Sequence, residues 1–291
     1  MNVAILCPVC SHATHFIGFQ NGRLDGRRFH VNGCPSCHYA FVVNYRHDYS
    51  TIYDDDYYAG QGADPSVDYL HEIRHLESTI RVYEWEGLCK IFKDFFPEGG
   101  RWLDYGCGLA GLVEYAQHRG HSIIGCEYGW AASAAKQRGP LILSEDELAE
   151  HREAFDFVTL VEVLEHVADP IDLLRRIRTL MKPGGVLFLT TGNAQPWRSN
   201  LLKWSYTRCP DVHISFYEPQ TVKLCLQASG FQAQTLNYGV GMESIIKFKI
   251  LKNMRWFKYR SRYLDALPWS CFCRWADMRY QVSLHPYGVA L

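Results

Sequence analysis

Two short cysteine motifs near the start of the chain have the spacing of a metal site. Each has the form Cys-Pro-x-Cys, and their cysteines are Cys7, Cys10, Cys34 and Cys37. A Cys-x-x-Cys turn brings two thiolates together, so two such turns can complete a closed tetrahedral sulfur site. The spacing predicts a structural zinc ion. The alternative is a chance pairing among the eleven cysteines of a reduced chain.

A glycine-rich turn at Asp104-Tyr-Gly106-Cys107-Gly108 follows an apolar run and precedes a helical stretch. Glycines at such a turn let backbone amides approach a ligand, and the helix N-terminus favours negative charge. The glycine spacing alone fits a dinucleotide equally well. The carboxylate of Asp104 would sit poorly beside a pyrophosphate, however, and suits a ligand that carries an ammonium group. That description matches the methionine end of S-adenosylmethionine.

A second acid, Glu127, closes the next predicted strand. A carboxylate at this place can accept hydrogen bonds from both ribose hydroxyls of an adenosine. Either acid alone has the alternative of an exposed carboxylate at a strand end. The spacing of the two acids around the glycines favours a nucleoside ligand.

With these motifs, the chain resembles the class I S-adenosylmethionine-dependent methyltransferases, particularly the UbiG-like and sugar-methylating enzymes of small molecules. The resemblance covers about residues 100–240 and implies an α/β fold. The sheet would be Rossmann-like, seven-stranded and mostly parallel, with an antiparallel last strand. The resemblance rests on four blocks in family order, at Leu103–Gly108, Gly125–Glu127, Phe155–Pro170 and Leu180–Leu189.

The resemblance also implies how the donor is held. The backbone around Gly106, Cys107 and Gly108 would hold the methionine moiety, and Asp104 would support it. Glu127 would bind the ribose.

Three further residues would border the donor by the same resemblance. Tyr128 would lie beside the adenine, and Glu162 would end the fourth strand next to the donor. The adenine amino group would meet Asp146, with Ser144 or Glu145 as the alternatives.

Methyl transfer to a hydroxyl requires aligned reactants, exclusion of water and a base. The candidate base is His213, because the resembling enzymes have a His followed by aromatic residues at this place; the alternative is a His that packs the loop. Capping is the favoured interpretation of Glu165 and His166, which open a helix. Tyr57 and Tyr58 are predicted to fold over the donor as an aromatic lid.

The elements that must position these residues follow an alternating pattern of short apolar runs and helical stretches, typical of a parallel sheet covered by helices. A long helix broken near Gly87 precedes them. The predicted strands lie near 101–105, 122–126, 140–143, 155–161 and 185–191, and the helices near 110–119, 129–138, 169–181 and 218–229.

The chain divides into three predicted regions. Residues 1–43 form a zinc-ribbon-like β-hairpin module, 44–99 a linker and leading helix, and 100–291 the methyltransferase domain. A helical insertion at about 243–276 precedes the last strand, expected at 278–284. Because the insertion is rich in cations and aromatic rings, it favours a phosphate-bearing, nucleotide-linked or lipid-linked acceptor. The alternative is an ordinary helical cap with solvated lysines.

The composition fits a soluble globular protein, with 47% hydrophobic and 21% charged residues and a net charge of −1. The chain lacks a long uncharged apolar stretch and a basic secretory start, so a cytoplasmic location is expected. The ribbon and linker are not strongly basic, which argues against a nucleic-acid partner.

The predicted function is methyl transfer to a small or carrier-linked metabolite, with a hydroxyl of a sugar or similar polar acceptor preferred. The alternatives are a ribosomal RNA methyltransferase, a sugar C-methyltransferase, a nicotinamide-dependent oxidoreductase and a regulatory protein that binds the cofactor without catalysis.

Overall fold

The structure, a computed structural model, describes residues 4–65, 68–233, 242–254 and 256–271. Its strands are β1 (His15–Asn21), β2 (Arg28–Gly33), β3 (Ala40–Val42), β4 (Arg101–Tyr105), β5 (Ser122–Cys126), β6 (Ile142–Leu143), β7 (Phe155–Val161), β8 (Met181–Thr190) and β9 (Ser215–Phe216). Its α-helices are α1 (Asp55–Tyr58), α2 (Tyr69–Arg74), α3 (Val82–Phe95), α4 (Gly111–Gln117), α5 (Gly129–Lys136), α6 (Glu145–Leu148), α7 (Pro170–Leu180), α8 (Pro219–Ala228), α9 (Met242–Met254) and α10 (Arg262–Ala266). Short 3-10 helices span Tyr49–Thr51, Leu164–His166, Gln195–Lys203 and Ser205–Arg208. Within these ranges, no helix has both the length and the apolar character that crossing a membrane requires.

A parallel sheet in the order β6-β5-β4-β7-β8 forms the centre of the fold. The middle strands are almost entirely buried because helices cover both faces of the sheet. Helix α7 illustrates how the sequence builds this cover. Asp169 accepts a hydrogen bond from the backbone N–H of Asp172 at 2.9 Å, Pro170 occupies the first turn, and the apolar face is buried. The predicted parallel α/β fold is confirmed, whereas the strand expected at 278–284 lies outside the described residues.

The leading helix differs from the prediction in where it breaks. The chain leaves the helical path between α2 and α3, at residues 75–81, and not near Gly87, which lies inside α3. The cause is a long-range pairing, because Thr79 forms an antiparallel bridge with Tyr259 and the N–H of Ile80 donates to the carbonyl of Lys258 at 3.1 Å. A distant segment therefore overrides the local helical spacing.

The cysteine module forms a second, antiparallel sheet in the order β1-β2-β3-β9. Its first three strands come from the predicted ribbon, which confirms the hairpin. Its last strand, β9, follows residue 213 in the main body of the chain. Backbone hydrogen bonds thus cross the predicted boundary at residue 43, and the division into domains stays a prediction.

Candidate active site

The turn between β4 and α4 requires glycine. Gly106 has a φ of +73°, and a Cβ atom on it would lie 2.6 Å from Cγ2 of Val163. The amides of Gly106 and Cys107 donate to the carbonyl of Cys126 at 2.9 and 3.1 Å. These bonds fold the turn against the end of β5. The main chain can therefore come close to a ligand at the end of the sheet.

Asp104 lies buried at the end of β4, 5% exposed. Its Oδ1 accepts a hydrogen bond from Thr159 Oγ1 at 2.7 Å, and the indole N–H of Trp102 donates to the same hydroxyl at 3.0 Å. Burial raises the pKa of Asp104 to about 7, and the bond from Thr159 opposes the rise only partly. A positively charged ligand beside this carboxyl would favour its ionised form.

Glu127 follows β5 and turns its carboxylate toward the glycines. It accepts hydrogen bonds from the backbone N–H of Gly108 at 2.7 Å and of Tyr128 at 3.0 Å. Burial raises the pKa of Glu127, and the two amide bonds counteract that effect. The carboxylate is thereby held at the turn.

A pocket with about 970 Å³ of empty space, part of it continuous with solvent, lies over the turn. Asp146 is exposed in the first turn of α6 and His213 is buried, and neither side chain lines the pocket. The other predicted donor-binding residues all line it, namely Tyr58, Asp104, Gly106, Cys107, Gly108, Glu127, Tyr128 and Glu162. Tyr57 lines it as well.

Glu162 also lines the pocket, in a left-handed backbone conformation with a φ of 54°. Its Oε1 accepts hydrogen bonds from Lys249 Nζ at 2.9 Å and Thr190 Oγ1 at 3.1 Å. Lys249 Nζ is also 3.3 Å from Glu84 Oε1. Burial alone would raise the pKa of Glu162, but the charges of Lys249 and Lys252 and the hydrogen bonds from Lys249 and Thr190 together outweigh it, and the pKa is lowered.

Comparison with known proteins shows which family this chain belongs to. A family model described as a methyltransferase domain matches residues 76–236, more than half of the chain. The chain belongs to the class I S-adenosylmethionine-dependent methyltransferases.

Similar curated proteins include ubiquinone biosynthesis O-methyltransferases. The protein of Stutzerimonas stutzeri (strain A1501) is 37% identical over 137 residues, which cover 44% of this chain and 55% of the relative. The protein of Pseudomonas paraeruginosa (strain DSM 24068 / PA7) is 38% identical over 153 residues, which cover 45% of this chain and 66% of the relative. The methyltransferase described here thus spans about half to two thirds of the length of these relatives.

Among solved structures, the plantazolicin methyltransferase BamL, in complex with a triazolic desmethylPZN analog and SAH, matches with a TM-score of 0.52. The sequences are 14% identical, and the match covers 81% of this chain and 93% of BamL. This likeness concerns the fold alone.

His166 is the histidine that lines the pocket of this methyltransferase. Its Nδ1 is 3.0 Å from the carbonyl of Val212 and 2.9 Å from the hydroxyl of Tyr53. Burial, together with the nearby His213, lowers the pKa of His166 to about 3, so the ring is neutral at physiological pH.

The ring of His213 packs next to that of His166, with 5.0 Å between the ring centroids. Its Nδ1 is 3.0 Å from the carbonyl of Tyr206, whose ring stacks on it at 4.0 Å. Burial lowers the pKa of His213. The structure thus brings the predicted base, His213, close to the site, but the histidine that lines the pocket is His166.

Tyr53 and Arg81 are among the pocket-lining residues that sequence reasoning missed. Arg81 Nη1 is 3.0 Å from Glu84 Oε2, while the buried Nε has no hydrogen-bond partner within the described ranges and lies 3.6 Å from Glu72 Oε2. A cation between the apolar positions of a helical stretch was the available signal for Arg81. For Tyr53, the tyrosine-rich linker gave no reason to single out one ring.

The four cysteines of the methyltransferase's ribbon come together. Cys7 and Cys37 have their Sγ atoms 3.6 Å apart, Cys10 and Cys34 have theirs 3.4 Å apart, and all four lie within 4.8 Å of one another. Tetrahedral zinc with bonds of about 2.3 Å separates its sulfur ligands by roughly 3.8 Å. The arrangement of the four sulfurs fits zinc.

Proposed function

We propose that this methyltransferase moves the methyl group of S-adenosylmethionine to a hydroxyl of a small or carrier-linked acceptor, a sugar or a similarly polar molecule. The observation that carries the proposal is a single pocket in which Asp104 and Glu127 flank a glycine turn. The relatives named O-methyltransferases support oxygen as the acceptor atom. The charged side chains of Glu84 and Glu162, which also line the pocket, support a polar acceptor.

The donor half of the pocket offers one partner for each polar group of the donor. Asp104 would accept from the ammonium group, and Arg81 would donate to the carboxylate through its buried Nε, which makes no hydrogen bond within the described residues. Glu127 would accept from the ribose hydroxyls, and Tyr128 would border the adenine. When bound, the donor supplies an electrophilic methyl carbon on a positively charged sulfur.

On the acceptor side, His166 is the proposed base. With its Nδ1 proton donated to the carbonyl of Val212, Nε2 keeps the free lone pair that accepts the proton of a hydroxyl. The hydroxyl of Tyr53 lies 2.9 Å from the same Nδ1 and would be a second acceptor for that proton. His213 remains the second candidate, with access to the pocket only past His166.

Isothermal calorimetry with S-adenosylhomocysteine tests the donor site. Glu127→Gln should weaken binding by about tenfold or more, because hydrogen bonds to a charged acceptor contribute about 1.5–3 kcal/mol. Asp146→Asn is the matched control, since that carboxylate is exposed and does not line the pocket. Equal losses in both variants would restore Asp146 as an adenine ligand, and no loss in either would contradict the proposed donor site.

Transfer of a radiolabelled methyl group to a panel of acceptors tests the reaction. The panel contains free and nucleotide-linked sugars, phenols and ribosomal RNA, and label is expected on a sugar hydroxyl. His166→Ala should lower turnover by about a hundredfold or more with unchanged donor affinity, and His213→Ala by less. The reverse order would return the role of base to His213, and label on RNA alone would overturn the proposed acceptor.

We also propose that Cys7, Cys10, Cys34 and Cys37 bind one structural zinc ion. The matching distances of the two sulfur pairs support this proposal, and so does the identical backbone of the two turns. The N–H of Ser11 donates to the carbonyl of Cys7 at 2.9 Å, as that of His38 does to Cys34 at 3.0 Å. Metal analysis of purified protein should find one zinc per chain, lost in Cys34→Ser. Protein that folds without metal would contradict the site.

A further inference from the structure

The ribbon and the histidine-bearing wall of the pocket share a sheet. Strand β3 pairs with β9 through Ala40 opposite Phe216 and Phe41 opposite Ser215. The backbone N–H of Val42 also donates to the carbonyl of Ile214 at 2.8 Å. The residues that follow His213 are therefore held as a strand of the ribbon.

Two residues extend this contact to His166. The hydroxyl of Tyr39 is 2.6 Å from Ser215 Oγ, which donates to the carbonyl of Val167 at 2.6 Å. The N–H of Ile214 donates to the carbonyl of Glu165 at 2.8 Å. The backbone on both sides of His166 is thus tied to the shared sheet. Tyr39 is 0% exposed and Ser215 1% exposed, so these bonds are shielded from water.

The second cysteine motif anchors the same chain of contacts. The N–H of Cys34 donates to the carbonyl of Tyr39 at 2.8 Å. On the other side of the motif, Thr221 Oγ1 donates to the carbonyl of Cys37 at 2.7 Å in a buried contact. A metal ion on the sulfurs would fix this turn, and with it the ring of Tyr39.

We propose that the metal-loaded ribbon positions His166, with Tyr39 and Ser215 as the positioning residues. The inference rests on the proposed zinc site and on the proposed role of His166. A module that only recruited a partner would need no hydrogen bonds to the backbone next to His166. Asp211 adds a second tie, because its carboxylate accepts from the N–H of Arg23 at 2.6 Å and from Arg46 Nε at 2.9 Å.

The test uses the full chain and the variant Tyr39→Phe, which removes one hydroxyl and keeps the ring. Tyr45→Phe is the matched control, since the half-buried Tyr45 packs on His47 and on the same sheet but its hydroxyl bonds neither Ser215 nor the backbone of residues 164–168. Hydrogen exchange should become at least about fivefold faster over residues 164–168 in Tyr39→Phe and in wild type treated with a zinc chelator. Exchange over residues 103–112 should stay the same.

A spectroscopic readout separates positioning from general loosening. In an imidazole NMR titration, the pKa of His166 should move from its lowered value toward the ordinary range in Tyr39→Phe, while that of His121 should not change. Unchanged exchange and titration in both Tyr39→Phe and the chelated protein would overturn the proposal.

The remaining outcomes are also decisive. If chelation unfolds the whole chain, the exchange and titration of metal-bound Tyr39→Phe alone decide whether the ribbon positions His166. If purified wild type contains no metal, the role of the metal is overturned. Calorimetry with S-adenosylhomocysteine on the same wild-type sample tests the donor site independently. If no binding is seen, the proposed function is contradicted, while the exchange result still tests whether the ribbon positions His166.

Discussion

The two sides of the pocket are built in different ways. Most of the donor side comes from one strand, one turn and the end of the next strand, so Asp104, Gly106 and Glu127 lie close together in the sequence, and Arg81 joins them from the segment before α3. The other side, named the opposite wall and consisting of Glu84 and Glu162 with the Lys249 that joins them, is assembled from distant segments. Glu84 lies on α3, Glu162 follows β7, and Lys249 on α9 joins them.

The difference lies in what holds each side. On the donor side, backbone conformation and backbone amides fix the geometry, as the φ of Gly106 and the amide bonds of Glu127 show. On the opposite wall, ion pairs and side-chain hydrogen bonds fix it. A substitution on the donor side should therefore act mainly through ligand binding, and one on the opposite wall mainly through stability.

The largest effect is expected from Lys249→Met on the opposite wall. This change removes the cation shared by Glu84 and Glu162, so that Glu162 loses its ion-pair partner while Glu84 keeps Arg81. Removing one partner of a buried ion pair costs about 3 kcal/mol. Urea unfolding should show this loss of unfolding free energy, while the affinity for S-adenosylhomocysteine changes by less than about threefold.

Lys258→Met is the control for that experiment. Lys258 is 65% exposed in its pair with Asp68, and a surface pair of this kind contributes little to stability. A stability loss as large in Lys258→Met, or a large loss of donor affinity in Lys249→Met, would break the proposed division between the two sides.

The next effect is expected from Gly106→Ala on the donor side. The left-handed backbone alone costs about 1–2 kcal/mol for alanine, and the added Cβ would also meet Val163 at 2.6 Å. Shifting the turn should weaken S-adenosylhomocysteine binding by at least about tenfold in calorimetry. Gly120→Ala is the control, because Gly120 also has a positive φ, of +81°, but lies outside the pocket lining with no atom within 4 Å of the added Cβ. Equal donor affinities in the two variants would show that neither the strain at Gly106 nor its contact with Val163 affects the donor.

The same division explains what the sequence could predict. Strands β4, β5 and β7 lie where the apolar runs placed them, and the predicted donor residues at the glycine turn line one pocket. Local spacing suffices there because one strand-turn-helix unit sets the positions. The break before α3, by contrast, depends on the pairing of Thr79 with Tyr259, which local spacing cannot reveal.

The sequence could not predict the opposite wall, because its residues also meet only through long-range packing. Lys249 was part of a basic segment whose target was open, and only the packing of α9 on α3 places it between two carboxylates. His166 was interpreted as part of a helix cap. It lines the pocket because Tyr53 and Val212, both far away in sequence, contact its Nδ1.

The affinity for the donor should also depend on pH, through a residue of the donor side. Burial raises the pKa of Asp104 to about 7, and a bound ammonium group would lower it again. Affinity for S-adenosylhomocysteine should therefore fall by roughly tenfold from pH 7.5 to pH 6, because the carboxyl must first lose its proton. In the free protein the sign is opposite, since this carboxyl favours the folded state below about pH 4 and loses that contribution as the pH rises through about 7. Calorimetry at both pH values should show weaker, pH-independent binding in Asp104→Asn, and a variant that keeps the slope would assign it to another group.

The smallest predicted effect concerns the aromatic lid on the donor side. Tyr57 and Tyr58 are 4% and 5% exposed, and Tyr58 Cε1 lies 3.8 Å from the place of a Cβ on Gly108. Aromatic faces attract a cation by about 1 kcal/mol, so replacing both rings by leucine should weaken S-adenosylmethionine about fivefold. S-adenosylhomocysteine, whose sulfur is uncharged, should lose less, and Tyr263→Leu, at a ring 88% exposed, should change neither affinity. Equal losses for both ligands would mean that the rings only exclude water, and no loss for either would remove the lid from the site.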